Sequence, residues 1–457
     1  MRLYDNSSVA TSDEFRLIYP NIHDKFVDIT MQRLLSSGNV LVFPNGSVEF
    51  MPIANESKIF ETRDGKIFTS NFIGYFGVKG ENIILKSRFG SKDNDYFLFY
   101  LLEKVLGINF LNYSTSYGLE DTIFNFIEFI FPQYLDSAMK KGMFKKYNIF
   151  SHNDMNVKGK IDIPNFVKKN TPFNGKISYT TREFSFDNNV TQLVRHTIEV
   201  MKSKNNLLVG SLLQQRRLKE NIDEVIRNTP SYSKFNRNQV ISQNIMSPVN
   251  HAFFYEYRQL QKLCIMILTG RKHGIKQSDN ELSGIVFDVA WLWEEYIANL
   301  LNDYFIHPEN RTGLHKQFLF ENEQGKRLGA IYPDLIGKND FSKVIADVKY
   351  KPFNNISGQD YHQILSYMFR FDRKAGYFFY PQTETDRVSK LSKLSLLEGF
   401  GDSVSSNEDS TIIEKIPFMV PTLDVKKYSD FVEKMEFSEQ SLIEKIVMLR
   451  NENLNQF

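Results

Sequence analysis

Cysteine is almost missing from this chain. Cys264 stands alone among 457 residues, which excludes an intramolecular disulfide, a multi-cysteine zinc site and a cysteine-ligated iron–sulfur cluster and makes a cytoplasmic location the expectation. Long apolar runs are lacking too. No segment approaches the roughly 18 consecutive apolar residues of a membrane helix, and the opening MRLYDNSSVATSDEF has no basic-then-apolar order of a signal peptide, so no membrane contact is expected. There is no Gly-x-x-x-x-Gly-Lys-Ser/Thr stretch, hence no P-loop and no nucleotide expected on this chain itself. Excess charge is also absent: at a net +2 there is no overall positive field, and any nucleic-acid binding falls to local basic patches.

What is present is the composition of a folded chain, 42% apolar and 14% aromatic, long enough for two to four domains. From Asn39 to Phe89 short β-type runs alternate with turn dipeptides. Asn45-Gly46 and Asp64-Gly65 supply the positive φ of tight hairpins. The following DNDYFLFYLLEKVLG has helical spacing, with Asp93 or Asn94 as its cap, and closes a β-rich domain over residues 1–108. Helical patterns such as TIFNFIEFIFPQYLDSAMKKGM and NVTQLVRHTIEVMKS dominate residues 109–280. The basic groups KKGMFKK and QQRRLK in that region read as solvated helix faces. After the polar stretch Arg271 to Gly284 comes an α/β domain over 281–457: helix from Asp288 to Tyr304, hairpin, helix from Gln359 to Phe371, then further strands and helices. GFGDSVSSNEDST reads as a surface loop.

Within that last domain YPDLIGKNDFSKVIADVKYK carries charges where strands favour apolar side chains. These charges either lie on a wet face or form a site. Period-two alternation puts Ile345, Asp347, Lys349 and Lys351 on one face and Val344, Ala346, Val348 and Tyr350 on the other. With a turn at Asn339 to Ser342, Asp334 lies across from Asp347. Two facing carboxylates repel without a cation, and Mg2+ favours one or two carboxylates with water and phosphate oxygens completing its shell. That chemistry, beside a lysine, is the chemistry of phosphodiester hydrolysis. Downstream, Gln363 and Tyr367 are four apart on one helical face. Upstream, Glu294 and Glu295 flank an apolar helical stripe, and periodicity does not choose between them.

The order Glu on a helix, Pro-Asp, Asp-x-Lys, Gln-x-x-x-Tyr resembles the PD-(D/E)xK nuclease superfamily, in its Gln-x-x-x-Tyr branch, and within it the McrC family of restriction subunits. LWEEYIANLL is similar to that family's Leu-Phe-Glu helix, which favours Glu294. NVKGKIDI and TTREFSFDNNVTQLVRHTI look like its middle-region pattern, and ILKSRFGSKDNDYFLFYLLEKVLG like the end of its β-rich domain. The resemblance implies a C-terminal α/β nuclease domain of restriction-endonuclease type, a β-rich N-terminal domain that docks on a partner, and a mainly helical middle region. It implies a metal held by Asp334, Asp347 and the Val348 carbonyl, with Lys349 positioning or activating the attacking water. Glu294 would assist at the metal or through water, and Gln363 and Tyr367 would orient the site or DNA. Lys351 is a candidate phosphate contact. It also implies a McrB-type AAA+ GTPase in trans that recognises DNA, methylated by expectation, translocates it, and is stimulated by this subunit.

Three other readings stand beside it. One is a cluster-free RecB-like repair exonuclease; a second is the cleavage subunit of a sequence-specific AAA+-dependent system; a third is a non-catalytic AAA+ adaptor with merely solvated hairpin charges.

Overall fold

The structure, a computed structural model, describes residues 2–37, 39–44, 56–90, 95–106, 119–203, 216–269, 283–308, 317–386, 392–397 and 411–456. It is a mixed α/β protein whose contacts divide it into two compact units, one of Met1–Ile123 with Ile275–Phe457 and one of Phe124–Gly274.

The first unit begins with β1 (Arg2–Tyr4), β2 (Ser8–Thr11), α1 (Ser12–Ile18), α2 (Pro20–Phe26) and α3 (Met31–Ser37), then β3 (Asn39–Phe43), β4 (Phe60–Arg63), β5 (Lys66–Thr69), β6 (Phe72–Val78), β7 (Glu81–Lys86) and α4 (Tyr96–Leu106). The expected Asp64-Gly65 hairpin joins β4 to β5, with φ of 48° and 73° at the two turn residues. The Asn45-Gly46 turn lies outside the described residues, as do Asp93 and Asn94. Asp95 caps α4 instead, its carboxylate accepting from the Leu98 N–H at 3.2 Å.

The second unit holds most of α5 (Leu119–Met139), then β8 (Lys146–Asp154), β9 (Lys160–Ile161), α6 (Ile163–Lys169), β10 (Ile177–Ser185), α7 (Asn189–Ser203), α8 (Arg216–Arg227), α9 (Arg237–Met246) and α10 (Tyr255–Thr269). Its sheet, in the order β8-β10-β9, departs from the expectation of a helical pattern here. KYNIFSHND and ISYTTREFS form a ribbon with much of both surfaces open to solvent, so the apolar–polar contrast that betrays a half-buried strand is weak. The FDNN segment is a helix start: Asn188 accepts from the N–H groups of Val190 and Thr191 at 3.1 and 3.3 Å and donates to the Phe144 carbonyl at 3.0 Å.

The chain returns to the first unit with β11 (Ser283–Asp288), α11 (Val289–Leu300), β12 (Phe305–Ile306), β13 (Gln317–Glu321), β14 (Arg327–Ile331), β15 (Leu335–Gly337), β16 (Val344–Val348), α12 (Gly358–Arg370), β17 (Ala375–Thr383), β18 (Lys393–Ser395), β19 (Ile412–Val420) and α13 (Tyr428–Gln456). β11 inserts into the N-terminal sheet, whose order is β1-β7-β6-β11-β3. Close approach at this seam requires glycine. A Cβ on Gly74, at φ +152°, would sit 2.1 Å from the Ile285 carbonyl oxygen, and one on Gly284 would meet Phe76 at 2.4 Å.

The C-terminal sheet runs β12-β15-β16-β17-β19-β18, with β16, β17 and β19 parallel. Parallel strands are covered on both faces. On one side Ile364, Tyr367 and Met368 of α12 pack with Ile345, Phe378 and Tyr380, at the helical spacing i, i+3, i+4. On the other, Trp293 and Tyr296 of α11 meet the ring of Phe418 at 5.5 and 5.7 Å. The Asp288 carboxylate caps α11 by accepting from Trp291 N–H at 3.2 Å, so this helix starts one residue after, and ends before, the expected span.

Candidate active site

Strands β15 and β16 pair antiparallel with Leu335 opposite Ala346 and Ile336 opposite Ile345. The next step of the same ladder sets Asp334 across from Asp347, and the turn between the strands is a helical turn over Asn339–Phe341. Asp334 is fixed further by accepting from the Val348 N–H at 2.7 Å. All five residues of β16 are buried, and Asp347 is only 1% exposed. A wet strand face is therefore excluded for Asp347.

Lys349 follows the strand on Asp347's face. Its Nζ lies 2.6 Å from Asp347 Oδ2 and donates to Gln363 Oε1 at 2.9 Å. Gln363 Nε2 donates to the Tyr367 hydroxyl at 2.7 Å, and that hydroxyl donates to the Tyr332 carbonyl at 3.1 Å. The i, i+4 pair on α12 thus forms one hydrogen-bonded chain from the lysine back to the backbone preceding Pro333.

α11 separates the two glutamates that periodicity left equal. Glu295 lies 3.5 Å from His307 Nε2, while His307 Nδ1 is bonded to the Asp334 carbonyl at 2.8 Å. Glu294 is the one whose charge acts strongly on Asp334. Burial, then the charges of Glu295, Asp347 and Asp288, push the Glu294 carboxyl up to about 8. Burial, then Glu294 and Asp347, holds Asp334 well above the usual carboxylate range. Burial raises Asp347 as well, against the pull of Lys349. Burial alone would lower Lys349, but Asp347 and Asp334 outweigh it and raise the ammonium. Three carboxylates crowd one lysine, and like charges in a desolvated site resist joint ionisation.

Asp360, which the motif reading did not single out, belongs to this cluster. It accepts from Lys351 Nζ at 2.8 and 2.7 Å, lies 3.5 Å from Lys349 Nζ, and closes a capping box with Ser357 at the start of α12. The Ser-x-x-Asp spacing one turn before Gln363 was the available signal. Lys351, the candidate phosphate contact, is engaged by this carboxylate. His307 was also missed; a lone histidine after a helix carries no pattern that would mark it.

Asp347 Oδ2 is buried, and the Lys349 ammonium at 2.6 Å is the charge it meets there. Among the described residues no three His, Cys, Asp or Glu side chains group into a complete metal cage, and no helix is long and apolar enough to cross a membrane.

Fold and cluster together define an α/β protein with buried, mutually repelling carboxylates and an oriented lysine at one strand end. The family described as McrBC 5-methylcytosine restriction system component matches residues 67–381, well over half of the sequence, and the chain belongs to that family. The McrC resemblance read from the motifs is borne out. Among solved structures the chain is similar to a refined half-complex from the tetradecameric assembly of Thermococcus gammatolerans McrB AAA+ hexamers with bound McrC, at 14% identity and a TM-score of 0.37, covering 95% of this chain and 98% of that one. It is also similar to the Thermococcus gammatolerans McrBC complex solved by cryo-EM, at 12% identity and a TM-score of 0.26, covering 66% and 87%. No curated protein matches it.

Proposed function

We propose that this chain is the DNA-cleaving subunit of an McrBC-type restriction system, a metal-dependent PD-(D/E)xK endonuclease driven by a separate AAA+ GTPase. The observation that carries the reading is the convergence of Asp334 and Asp347 beside Lys349, with the lysine held by Gln363. The family match and the absence of a P-loop in the sequence support a motor acting in trans.

The donor set fits a hard divalent cation. Asp334, Asp347 and Glu294 are carboxylates raised by burial, the charge of Asp347 raising the other two further, and Mg2+ needs only one or two carboxylates, taking water and phosphate oxygens for the rest. Asp334, Asp347 and the Val348 carbonyl would hold it, with Glu294 acting directly or through water. Such an ion lowers the pKa of bound water and stabilises charge on phosphoryl oxygens. The chain's own residues do the positioning. Lys349 Nζ, directed by Gln363, presents donors to the attacking water and the phosphoryl oxygen. Tyr367 keeps the Gln363 amide turned so that its oxygen faces Lys349. Lys351, released from Asp360, would reach a neighbouring phosphate.

The test is cleavage of methylated and unmodified DNA by the chain with its AAA+ partner, GTP and Mg2+. Asp347→Ala and Lys349→Ala are expected to lower cutting by more than about a thousandfold while leaving stimulation of GTP hydrolysis intact. Wild-type cutting by both variants would sink the site. Stimulation of GTP hydrolysis with no cutting by any preparation would favour the adaptor reading.

A further inference from the structure

The ribbon of the second unit carries a surface that the proposed chemistry does not use. Residues 144–186 contain seven lysines and one arginine against Asp154, Asp162 and Glu183, a surplus of five cations in a chain whose net charge is +2. None of these eight cations forms an ion pair among the described residues. The neighbouring basic residues behave differently: just after α5, Lys140 pairs with Asp136 at 3.4 Å and Lys141 with Glu256 at 3.7 Å, and at the start of α8 Arg216 pairs with Glu220 at 3.3 Å and Arg217 with Asp136 at 2.6 Å. KKGMFKK is therefore not the helix face expected of it, since it runs from the turn after α5 into β8, and its Lys145 and Lys146, like the rest of the ribbon's cations, form no ion pair among the described residues.

Register places the ribbon's cations among exposed rings. Phe184 is opposite Tyr147, Arg182 opposite Ile149, and Thr180 opposite Lys160, so these side chains share one face. Tyr147 and Phe184 are each 55% exposed and Ile149 is 73% exposed. The two rings meet at 4.8 Å, the Arg182 guanidinium lies 4.8 Å from the Tyr147 ring, and Lys145 Nζ lies 5.6 Å from that of Phe184. A face made for folding alone would bury the rings, and one made for solubility alone would not expose them. Unpaired cations interleaved with exposed aromatics match a ligand that is polyanionic and also offers flat apolar surface, which is a nucleic acid.

We propose that this face of the β8–β10–β9 sheet binds the phosphate backbone of a nucleic acid, with Lys145, Lys160 and Arg182 neutralising phosphates and Tyr147 and Phe184 covering sugars or bases. The choice of DNA as ligand rests on the proposed endonuclease reading. The test therefore reads binding without catalysis: fluorescence anisotropy of the full chain in EDTA, with short duplex and single-stranded DNA, between about 50 and 200 mM salt. The triple variant Lys145→Ala/Lys160→Ala/Arg182→Ala is expected to weaken binding at least about tenfold and to flatten the slope of log K against log salt by about 2 to 3 units, with an unchanged circular dichroism spectrum and melting temperature. Since Lys145 is half-buried, the double variant Lys160→Glu/Arg182→Glu gives the same reading should the triple one misfold. A larger loss for single strands on Tyr147→Ala identifies base stacking; equal loss on both identifies backbone contact, and either supports the surface. Unchanged affinity and slope overturn it, as does retained DNA binding with lost stimulation of the AAA+ partner, which would make the face a protein-docking surface. Because binding is read in EDTA, where no cleavage is needed, failure to cut leaves this result readable.

Discussion

Lys349 Nζ donates to Gln363 Oε1 at 2.9 Å, tying the end of β16 to the middle of α12. A lysine on a flexible stem becomes a directed donor only if its partner is itself fixed, and here Gln363 is fixed through Tyr367 to the Tyr332 carbonyl.

Tyr367→Phe removes the hydroxyl from that chain while keeping the ring in the core. DNA cleavage is expected to fall about tenfold, and unfolding free energy by about 1 kcal/mol, the worth of one hydrogen bond. Single-turnover cleavage beside urea denaturation separates the two. Full activity with only the stability loss would make Tyr367 a packing residue.

Asp360 holds Lys351 at 2.8 and 2.7 Å and caps α12. Asp360→Asn is expected to cost about 1 kcal/mol at neutral pH through the weakened cap and to free Lys351, tightening DNA binding a few-fold in the absence of metal. Unaltered affinity in a titration would remove Lys351 from the phosphate contacts.

Glu439 of α13 accepts from two buried tyrosines at the same oxygen, Tyr100 of α4 at 2.7 Å and Tyr296 of α11 at 2.8 Å. Glu439→Leu leaves both hydroxyls without that acceptor and should destabilise the first unit by about 2 to 4 kcal/mol. Because α11 carries Glu294, cleavage should fall as well. A denaturation midpoint within error of wild type would show that the hydroxyls find other partners.

His196, on α7 of the second unit, is closed off from solvent, and neither ring nitrogen has a hydrogen-bond partner among the described residues. Burial, then Arg237 and Arg195, pushes it down from 6.5 to about 4. A depressed folded value means that the unfolded chain binds the proton first, so the stability contribution is full above about 6.5 and is lost as pH falls toward about 4. Melting temperature should drop over that window in the wild type, and His196→Phe should flatten the drop. An equal slope in both proteins would assign the pH dependence elsewhere.

Most of the candidate site was legible because it lies on short-range pattern. Asp334 and Asp347 are carried by a hairpin whose turn and register follow from local spacing, and Gln363 and Tyr367 share a helical face at i, i+4. The roles of Asp360 and His307 were not legible. One looks like a helix cap, and the other is a single histidine whose importance comes from groups 12 and 27 residues away. The ribbon of β8 and β10 was hidden for a related reason, since a strand pair exposed on both faces has no apolar stripe to read.

By itself the sequence determined the chemistry available, one cysteine, no P-loop, and Asp, Asp-x-Lys and Gln-x-x-x-Tyr in that order, and it pointed to the McrC family, which the McrBC family match bears out. Periodicity could not separate Glu294 from Glu295 and only the family resemblance favoured Glu294; the tertiary structure supplies the physical reason, since the charge of Glu294 acts on Asp334 while Glu295 lies against His307. It also decided that Lys349 is aimed by Gln363, and that β11, remote in sequence, completes the N-terminal sheet. Such choices depend on packing between distant segments, where burial and charge at each position are set by neighbours that no local pattern specifies.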